Sequence, residues 1–487
     1  MKKIKVLFVS SELTPLAKVG GLGDVAGALP KALIKLGVDV RIAIPRYGVI
    51  DAQKYPQKKV AENVIVPFNG ANEPVAIFET PLPGSEVPVY LIDHKKYLGE
   101  NGIYFEKDAS SSGSNREAER FTFLARSSVG FFEALDWYPD IVHCQDWHAG
   151  MIPVILKVLA KKNKKLGNIK TMLTIHNMEY QGWYQAETIF KALGFSASDY
   201  PALKIQKDGH ISSLQQAILA SDYLNTVSPS YAEEILTPEY GAGLENDLLT
   251  RKNELVGILN GIDVERFDPE TDESITANFS AKDLSGKAKC KEGLQQICNF
   301  KKDKNIPVLG IVSRLADQKG IDLIYEVADK LARENIQFVL LGTGDPKLEK
   351  MMAEISHKYP QKMYAKLEFN AKFAQEIYAG SDIFLMPSKF EPCGLGQMIA
   401  MRYGTVPIVR ATGGLKDTVA DYHENDGEGF VLKNYDSAEF FETVKRAINT
   451  FQDQKKWYNI VEKDIKKDFS WKSSAKKYIQ LYKKLSK

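Results

Sequence analysis

Short β-branched and aromatic runs alternate with longer amphipathic stretches along this whole chain. That alternation restricts it to the α/β class, with parallel sheets built from strand-helix-strand units. In the first half the strand-forming runs are IKVLFVS, DVRIAIP, VPVYLID, IVHCQ, TMLTIHN and YLNTVS. In the second half they are VLGIVSR, FVLLGTG, MYAKLEF, IFLMPS, VPIVRA and GFVL. A dozen strands suit two doubly wound sheets better than one, and 487 residues suffice to bury two cores. The stretch GILNGIDVERFDPETD interrupts the pattern with glycine, Asn260, Asp263 and Pro269, which places domains at 1–255 and 256–469. The closing segment, 470–487, sets Trp471, Tyr478, Leu481 and Leu485 at helical spacing, and the expectation is that it packs back onto the first domain.

Charge and cysteine usage remove several function classes. Lys and Arg total 64 against 62 Asp and Glu, so no electrostatic footprint for nucleic acid or an anionic membrane exists. The four cysteines, Cys144, Cys290, Cys298 and Cys393, lack Cys-x-x-Cys spacing and fit a reducing compartment. No apolar run is long enough to span a bilayer, and MKKIKVLFVSSE turns acidic too early for a secretory signal. The expectation is a soluble cytoplasmic protein. No Asp-x-Asp and no His/Cys/carboxylate cluster with metal spacing occurs, which predicts a metal-independent site without a cofactor. Oligomeric state is left open by the sequence.

In open parallel sheets ligands bind beyond the carboxyl ends of strands, where helix N-termini present their N–H groups. Five ionisable residues fall just past expected strands: Lys18, Asp146, His176, Arg314 and Glu391. Each alone has a bland explanation, such as a solvated lysine, a helix cap or a turn histidine. Their shared position at strand ends favours one functional rim. The bend KVGGLGDVAGALPKAL contains a G-x-G-x-x-A match at Gly21, Gly23 and Ala26, with Asp39 near the place of a ribose-binding acid. A dinucleotide fingerprint follows its strand directly, however, and here the strand ends near Ser10. The remaining reading is a backbone approach for phosphate, with Lys18 adding charge. Pro30 runs against the helical pattern that follows.

The second half repeats the theme. In SRLADQKG, Arg314 and Lys319 flank a strand-to-helix turn and suit a diphosphate. TGGLKDTV places Gly413 and Gly414 after Thr412 and ahead of another helix. In KFEPCGLGQMIAMRYG, Glu391 precedes Pro392, Cys393 and Gly394; such a carboxylate could hold sugar hydroxyls or stabilise positive charge developing on a sugar ring. Asp146 could supply the second carboxylate of a glycosidase, so residue type leaves hydrolysis open. Anion-adapted helix N-termini in both halves fit a nucleotide-diphosphate site in a cleft between two lobes.

KVGGLGDVAGALPKAL, HCQDWHAG, TIHNMEYQGWY, NTVSPSYAEEI, GILNGID, SRLADQKGIDLI and FEPCGLGQMIAMRYG together resemble, in order, bacterial glycogen synthases and plant starch synthases. These are nucleotide-sugar glucosyltransferases of the GT-B fold, and the likeness runs from residue 4 to about residue 483. The resemblance implies two Rossmann-like domains facing a central cleft. It also implies transfer of glucose from ADP-glucose to the non-reducing end of an α-1,4-glucan, with retention and no metal, in glycogen biosynthesis. By position, Lys18, Gly20 and Gly21 would meet donor phosphate and sugar, and Asp146 and His176 would sit at the reacting bond. Arg314 and Lys319 would neutralise the leaving diphosphate, and Glu391, Cys393, Gly394, Leu395, Thr412 and Gly413 would hold donor groups. Phe369 would stack on the base, while Tyr97, Trp147 and Tyr180 would lie on the acceptor side. Broader GT-B relatives repeat a glutamate where this chain has Ile399, so Glu391 would act without that partner.

Overall fold

A computed structural model of the protein describes residues 3–100, 102–105, 112–196, 198–423 and 426–486. Among these residues, every one of the twelve runs named above forms a strand. The first sheet holds β1 (Lys5–Val9), β2 (Asp39–Pro45), β3 (Lys58–Phe68), β4 (Ala71–Pro81), β5 (Pro88–Asp93), β6 (Ile141–Gln145) and β7 (Lys170–Ile175). A two-stranded ribbon of β8 (Trp183–Gln185) and β9 (His210–Ser212) stands apart, and β10 (Tyr223–Thr226) and β11 (Leu255–Gly257) complete the first sheet. Its order is β11-β10-β7-β6-β1-β2-β5-β4-β3. All pairings are parallel except β5 with β4 and β4 with β3.

The antiparallel edge is an addition to the sequence reading. Its signal is Asn69-Gly70, the pair that a tight hairpin favours, and both residues take positive φ, 50° and 74°. Polar interruptions along β3, as in KKVAENVIVPF, hide the strand period there.

The second sheet contains β12 (Val308–Val312), β13 (Gln337–Leu341), β14 (Met363–Lys366), β15 (Ile383–Met386), β16 (Val406–Arg410) and β17 (Phe430–Leu432). It is parallel throughout, in the order β14-β13-β12-β15-β16-β17. The chain thus winds outward from β12, then returns to β15 on the other side of the same strand. In the first sheet β2 lies beside β1, the chain then runs to the edge strand β3 and back through β4 to β5, and β6 lies on the other side of β1. Each sheet therefore has a switch point, β1/β6 in one and β12/β15 in the other, where the loops diverge and leave room for a ligand.

Two compact units result. One comprises residues up to Val227, Ala232–Ile258 and those from Trp471 onward; the other comprises Ser228–Tyr231 and Leu259–Ser470. Ser228–Tyr231 joins the second unit through hydrogen bonds: the Ser228 hydroxyl donates to the Pro392 carbonyl at 2.6 Å, and Ser230 donates its N–H and hydroxyl to Asp417 at 2.8 and 2.7 Å.

In the first unit the helix Gly21–Lys35 continues through Pro30. An interior proline costs about 3 kcal/mol. Val25, Leu29 and Leu33 are buried in the same core as Trp471, Tyr478 and Tyr482 of the C-terminal helix Trp471–Leu485. Each such side chain contributes roughly 1.5–3 kcal/mol by leaving water, so packing outweighs the lost backbone hydrogen bond.

Candidate functional site

Both switch points carry the ionisable residues that the sequence places at strand ends. In the first unit, the loop after β1 supplies Glu12 and Lys18, the turn after β6 supplies Asp146, and the end of β7 supplies His176. Asp146 has φ 57° and ψ −172°, a conformation almost confined to glycine. It caps the short turn Trp147–Ala149 by position, yet its Oδ1 instead accepts the N–H of His176 at 3.1 Å. Strain here aims a buried carboxylate across the neighbouring strand. Burial raises its pKa to about 7, against the N–H groups of His176 and Asn177, which lower it, and with a further rise from Glu12. Burial therefore favours the protonated form far above the ordinary carboxylate range.

His176 is half-buried, and its Nε2 lies 2.9 Å from Gln145 Oε1. Desolvation lowers its pKa to about 3, so the ring is neutral. With a carbonyl oxygen as partner, Nε2 carries the hydrogen and Nδ1 is the acceptor. A neutral imidazole beside a titrating carboxyl offers hydrogen bonds to sugar hydroxyls without adding a full charge.

The glycine bend is arranged differently from a bare phosphate cradle. Val19 and Gly20 donate their N–H groups to Glu12 Oε2, at 2.8 and 2.7 Å. Lys18 Nζ pairs with both oxygens of Asp24, at 2.7 and 2.8 Å. Gly21 begins the helix.

In the second unit the loops after β12, β15 and β16 converge. Lys319 Nζ meets Glu391 Oε2 at 2.6 Å, and the Ser388 hydroxyl donates to the same oxygen at 3.0 Å. Gly413 has φ 43°, and a Cβ there would collide with the Glu391 carbonyl oxygen. Only glycine lets this turn pass so close to the carboxylate loop. Gly414 follows, donating its N–H to the Glu391 carbonyl at 3.1 Å. Arg410 holds the other side of the loop, with its Nε donating to the Ser388 carbonyl at 3.0 Å. The Cys393 thiol is buried and its pKa is pushed up to about 12 by desolvation, so it stays neutral beside Gly394. Leu395 is the residue before the helix Gly396–Arg402, and Thr412 precedes the helix Gly413–Thr418. Arg314 is exposed and, among the described residues, carries no ion pair, leaving its guanidinium available to an anion.

The aromatic candidates separate. Phe369 is 88% exposed, on the loop after β14, and Tyr180 is 54% exposed. Trp147 is buried, its ring tilted 30° to that of His148 at a centroid distance of 3.9 Å. Tyr97 is also buried, its ring 4.6 Å from that of Phe123 and 5.0 Å from that of His94, so its faces are already occupied, and its hydroxyl meets Lys96 Nζ at 2.9 Å. Glu12, Gln145, Ser388 and Arg410 are site neighbours that the sequence reading missed. Glu12, in SSELTP, had a usable signal as an acid just past β1. The other three look like ordinary polar residues in sequence.

Among the described residues no group of three or more His, Cys, Asp and Glu could hold a metal ion, and no helix is long and apolar enough to cross a membrane.

Two parallel α/β units, each with a polar switch point, define the class: a glycosyltransferase of the GT-B fold. Residues 5–250 match the family model for the starch synthase catalytic domain, and residues 295–464 match that for glycosyl transferases group 1. The chain is 41% identical to the glycogen synthase of Alkaliphilus metalliredigens (strain QYMF), over 99% of this chain and 100% of that one. It is 43% identical to the glycogen synthase of Clostridioides difficile (strain 630), over 98% of this chain and 99% of that one. Among solved structures, the catalytic domain of starch synthase IV from Arabidopsis thaliana bound to ADP and acarbose matches with a TM-score of 0.88 at 33% identity, covering 100% of both chains. The chain belongs to the glycogen synthase family.

Proposed function

We propose that this chain transfers glucose from ADP-glucose to the non-reducing end of an α-1,4-glucan, with retention of anomeric configuration and without a metal, in cytoplasmic glycogen synthesis. The observation that carries the reading is the Lys319–Glu391 pair beside the Gly413 turn at the β12/β15 switch point. An anion entering there meets Arg314 and Lys319, which neutralise the charge that builds on a departing diphosphate. Glu391, relieved of part of its partner's charge at that moment, faces the sugar and stabilises positive charge on its ring. In the first unit, Asp146 and neutral His176 offer hydrogen bonds suited to sugar hydroxyls. The starch synthase IV relative, solved with ADP, supports an adenine nucleotide as the donor base, with Phe369 providing the stacking face.

The deciding experiment incubates the purified chain with glycogen and either labelled ADP-glucose or labelled UDP-glucose, with and without EDTA. Polymer labelled from ADP-glucose, undiminished by EDTA and digestible by an α-1,4-specific hydrolase, is the expected result. Labelling from UDP-glucose alone would overturn the donor assignment, and none from either donor would overturn glucan synthesis.

A further inference from the structure

The glycine bend reads from sequence as a phosphate cradle, yet its first two amides are already taken by Glu12. One carboxylate oxygen accepts the N–H groups of Val19 and Gly20 at 2.8 and 2.7 Å. The other accepts the Tyr104 hydroxyl at 2.7 Å. Glu12 is only 3% exposed, and a carboxylate that deeply buried is costly unless its lone pairs are filled. Three charge-assisted hydrogen bonds fill them.

The clamp is two-sided. Thr14 N–H donates to the Gly23 carbonyl at 3.0 Å, tying the segment after β1 to the first turn of the helix Gly21–Lys35. A Cβ on Gly23 would stand 3.1 Å from Glu12 Oε2 and 3.3 Å from Thr14 Oγ1, so the small residue there makes room for the carboxylate. Lys18 sits on the loop that Glu12 closes. Its own pair with Asp24 is exposed, worth about 0–1 kcal/mol, and readily exchanged for a diphosphate.

We propose that Glu12 is a positioning residue for the nucleotide-sugar donor: by holding the amides of Val19 and Gly20 it fixes the Lys18–Gly21 loop in the shape that receives the diphosphate. This rests on the donor reading above. The bend then works as a preformed loop whose shape is set by an internal carboxylate, with Lys18 as its movable charge. Pre-forming the loop lowers the ordering cost of donor binding and leaves the chemical step to other residues.

The test titrates ADP calorimetrically into the full chain and measures donor KM and kcat for wild type, Glu12→Ala, Glu12→Gln and Gly23→Ala. Glutamine keeps a carbonyl oxygen for the two amides and turns its NH2 toward the Tyr104 oxygen. Glu12→Ala should raise the Kd for ADP and the donor KM by about tenfold or more, the loss expected from uncoupling hydrogen bonds to a charged group. Its kcat at saturating donor should stay within about threefold, Glu12→Gln should restore most of the affinity, and Val19 and Gly20 amide exchange should accelerate in the alanine variant. An unchanged Kd in Glu12→Ala overturns the proposal. So does a fall in kcat at unchanged Kd, which would move the carboxylate into the chemistry. If Glu12→Ala does not fold, Gly23→Ala pushes on the same oxygen, and unaltered ADP affinity there overturns the proposal equally. Wild-type protein that binds neither ADP nor UDP overturns the donor reading and this inference together; wild-type binding with indifferent variants overturns this inference alone.

Discussion

Lys319 Nζ stands 2.6 Å from Glu391 Oε2, and the two side chains are only 16% and 8% exposed. Breaking a buried pair of this kind costs roughly 3–5 kcal/mol because the remaining charge loses its partner. Lys319→Met should therefore lower Tm and also reduce kcat by about 10²–10³, the range for removing one preorganised charge from a transition state. Initial rates with labelled ADP-glucose, alongside a melting curve, check both. A kcat within tenfold of wild type would remove Lys319 from the reaction.

Asp146 supplies a pH signature. Its pKa is raised by burial to about 7 in the folded chain, against an ordinary value of 3.8. A carboxyl raised in this way stabilises the fold fully below 3.8, and its contribution is lost as pH climbs through 7. Asp146→Asn keeps a neutral group at every pH. The Tm difference, variant minus wild type, should rise in the variant's favour from about pH 4 to about pH 7 and then level off. Melting curves across that range measure it, and a flat difference would contradict the assigned burial.

Behind the β6 and β7 strand ends, His143 Nδ1 meets the Tyr482 hydroxyl at 2.8 Å and its Nε2 meets Thr174 Oγ1 at 2.6 Å. Thr174 gives its own hydrogen to Asn225 Oδ1 at 2.6 Å, so it accepts from Nε2–H and leaves Nδ1 to accept from Tyr482. Desolvation lowers the His143 pKa to about 3, in keeping with a neutral ring. Tyr482→Phe should cost about 1–3 kcal/mol by orphaning a buried acceptor, visible as a lower Tm with little change in donor KM.

Phe369 calls for the opposite pattern. Its ring is 88% exposed and supports no core, so Phe369→Ala should shift stability by no more than about 0.5 kcal/mol. Loss of a stacking face should raise donor KM several-fold, the equivalent of about 1 kcal/mol or more. Equal KM values for ADP-glucose in both proteins would show that the base does not rest there.

Much of the fold was legible because parallel strands buried on both faces read as continuous apolar runs, and IFLM of β15 or VLFV of β1 cannot be mistaken for much else. The β3–β4 edge escaped because KKVAENVIVPF faces solvent along much of its length and carries no clean period. Pro30 looked like a helix breaker because its cost is local while the compensating burial of Leu29 and Leu33 lies against a helix some 440 residues later.

By itself, the sequence determined the α/β class, twelve of the strands in the two sheets and the positions of Lys18, Asp146, His176, Arg314 and Glu391 beyond strand ends, since all of these follow from local periodicity. Only the tertiary structure decided the partners of those residues. Lys319 pairs with a carboxylate 72 positions away, and Asp146 receives the backbone of His176 from the adjacent strand. Glu12, rather than a ligand, fills the first amides of the glycine bend. Hydrogen bonds and ion pairs act over about 3 Å, and which groups come that close is set by how strands and loops are brought together, information that no local window of sequence contains.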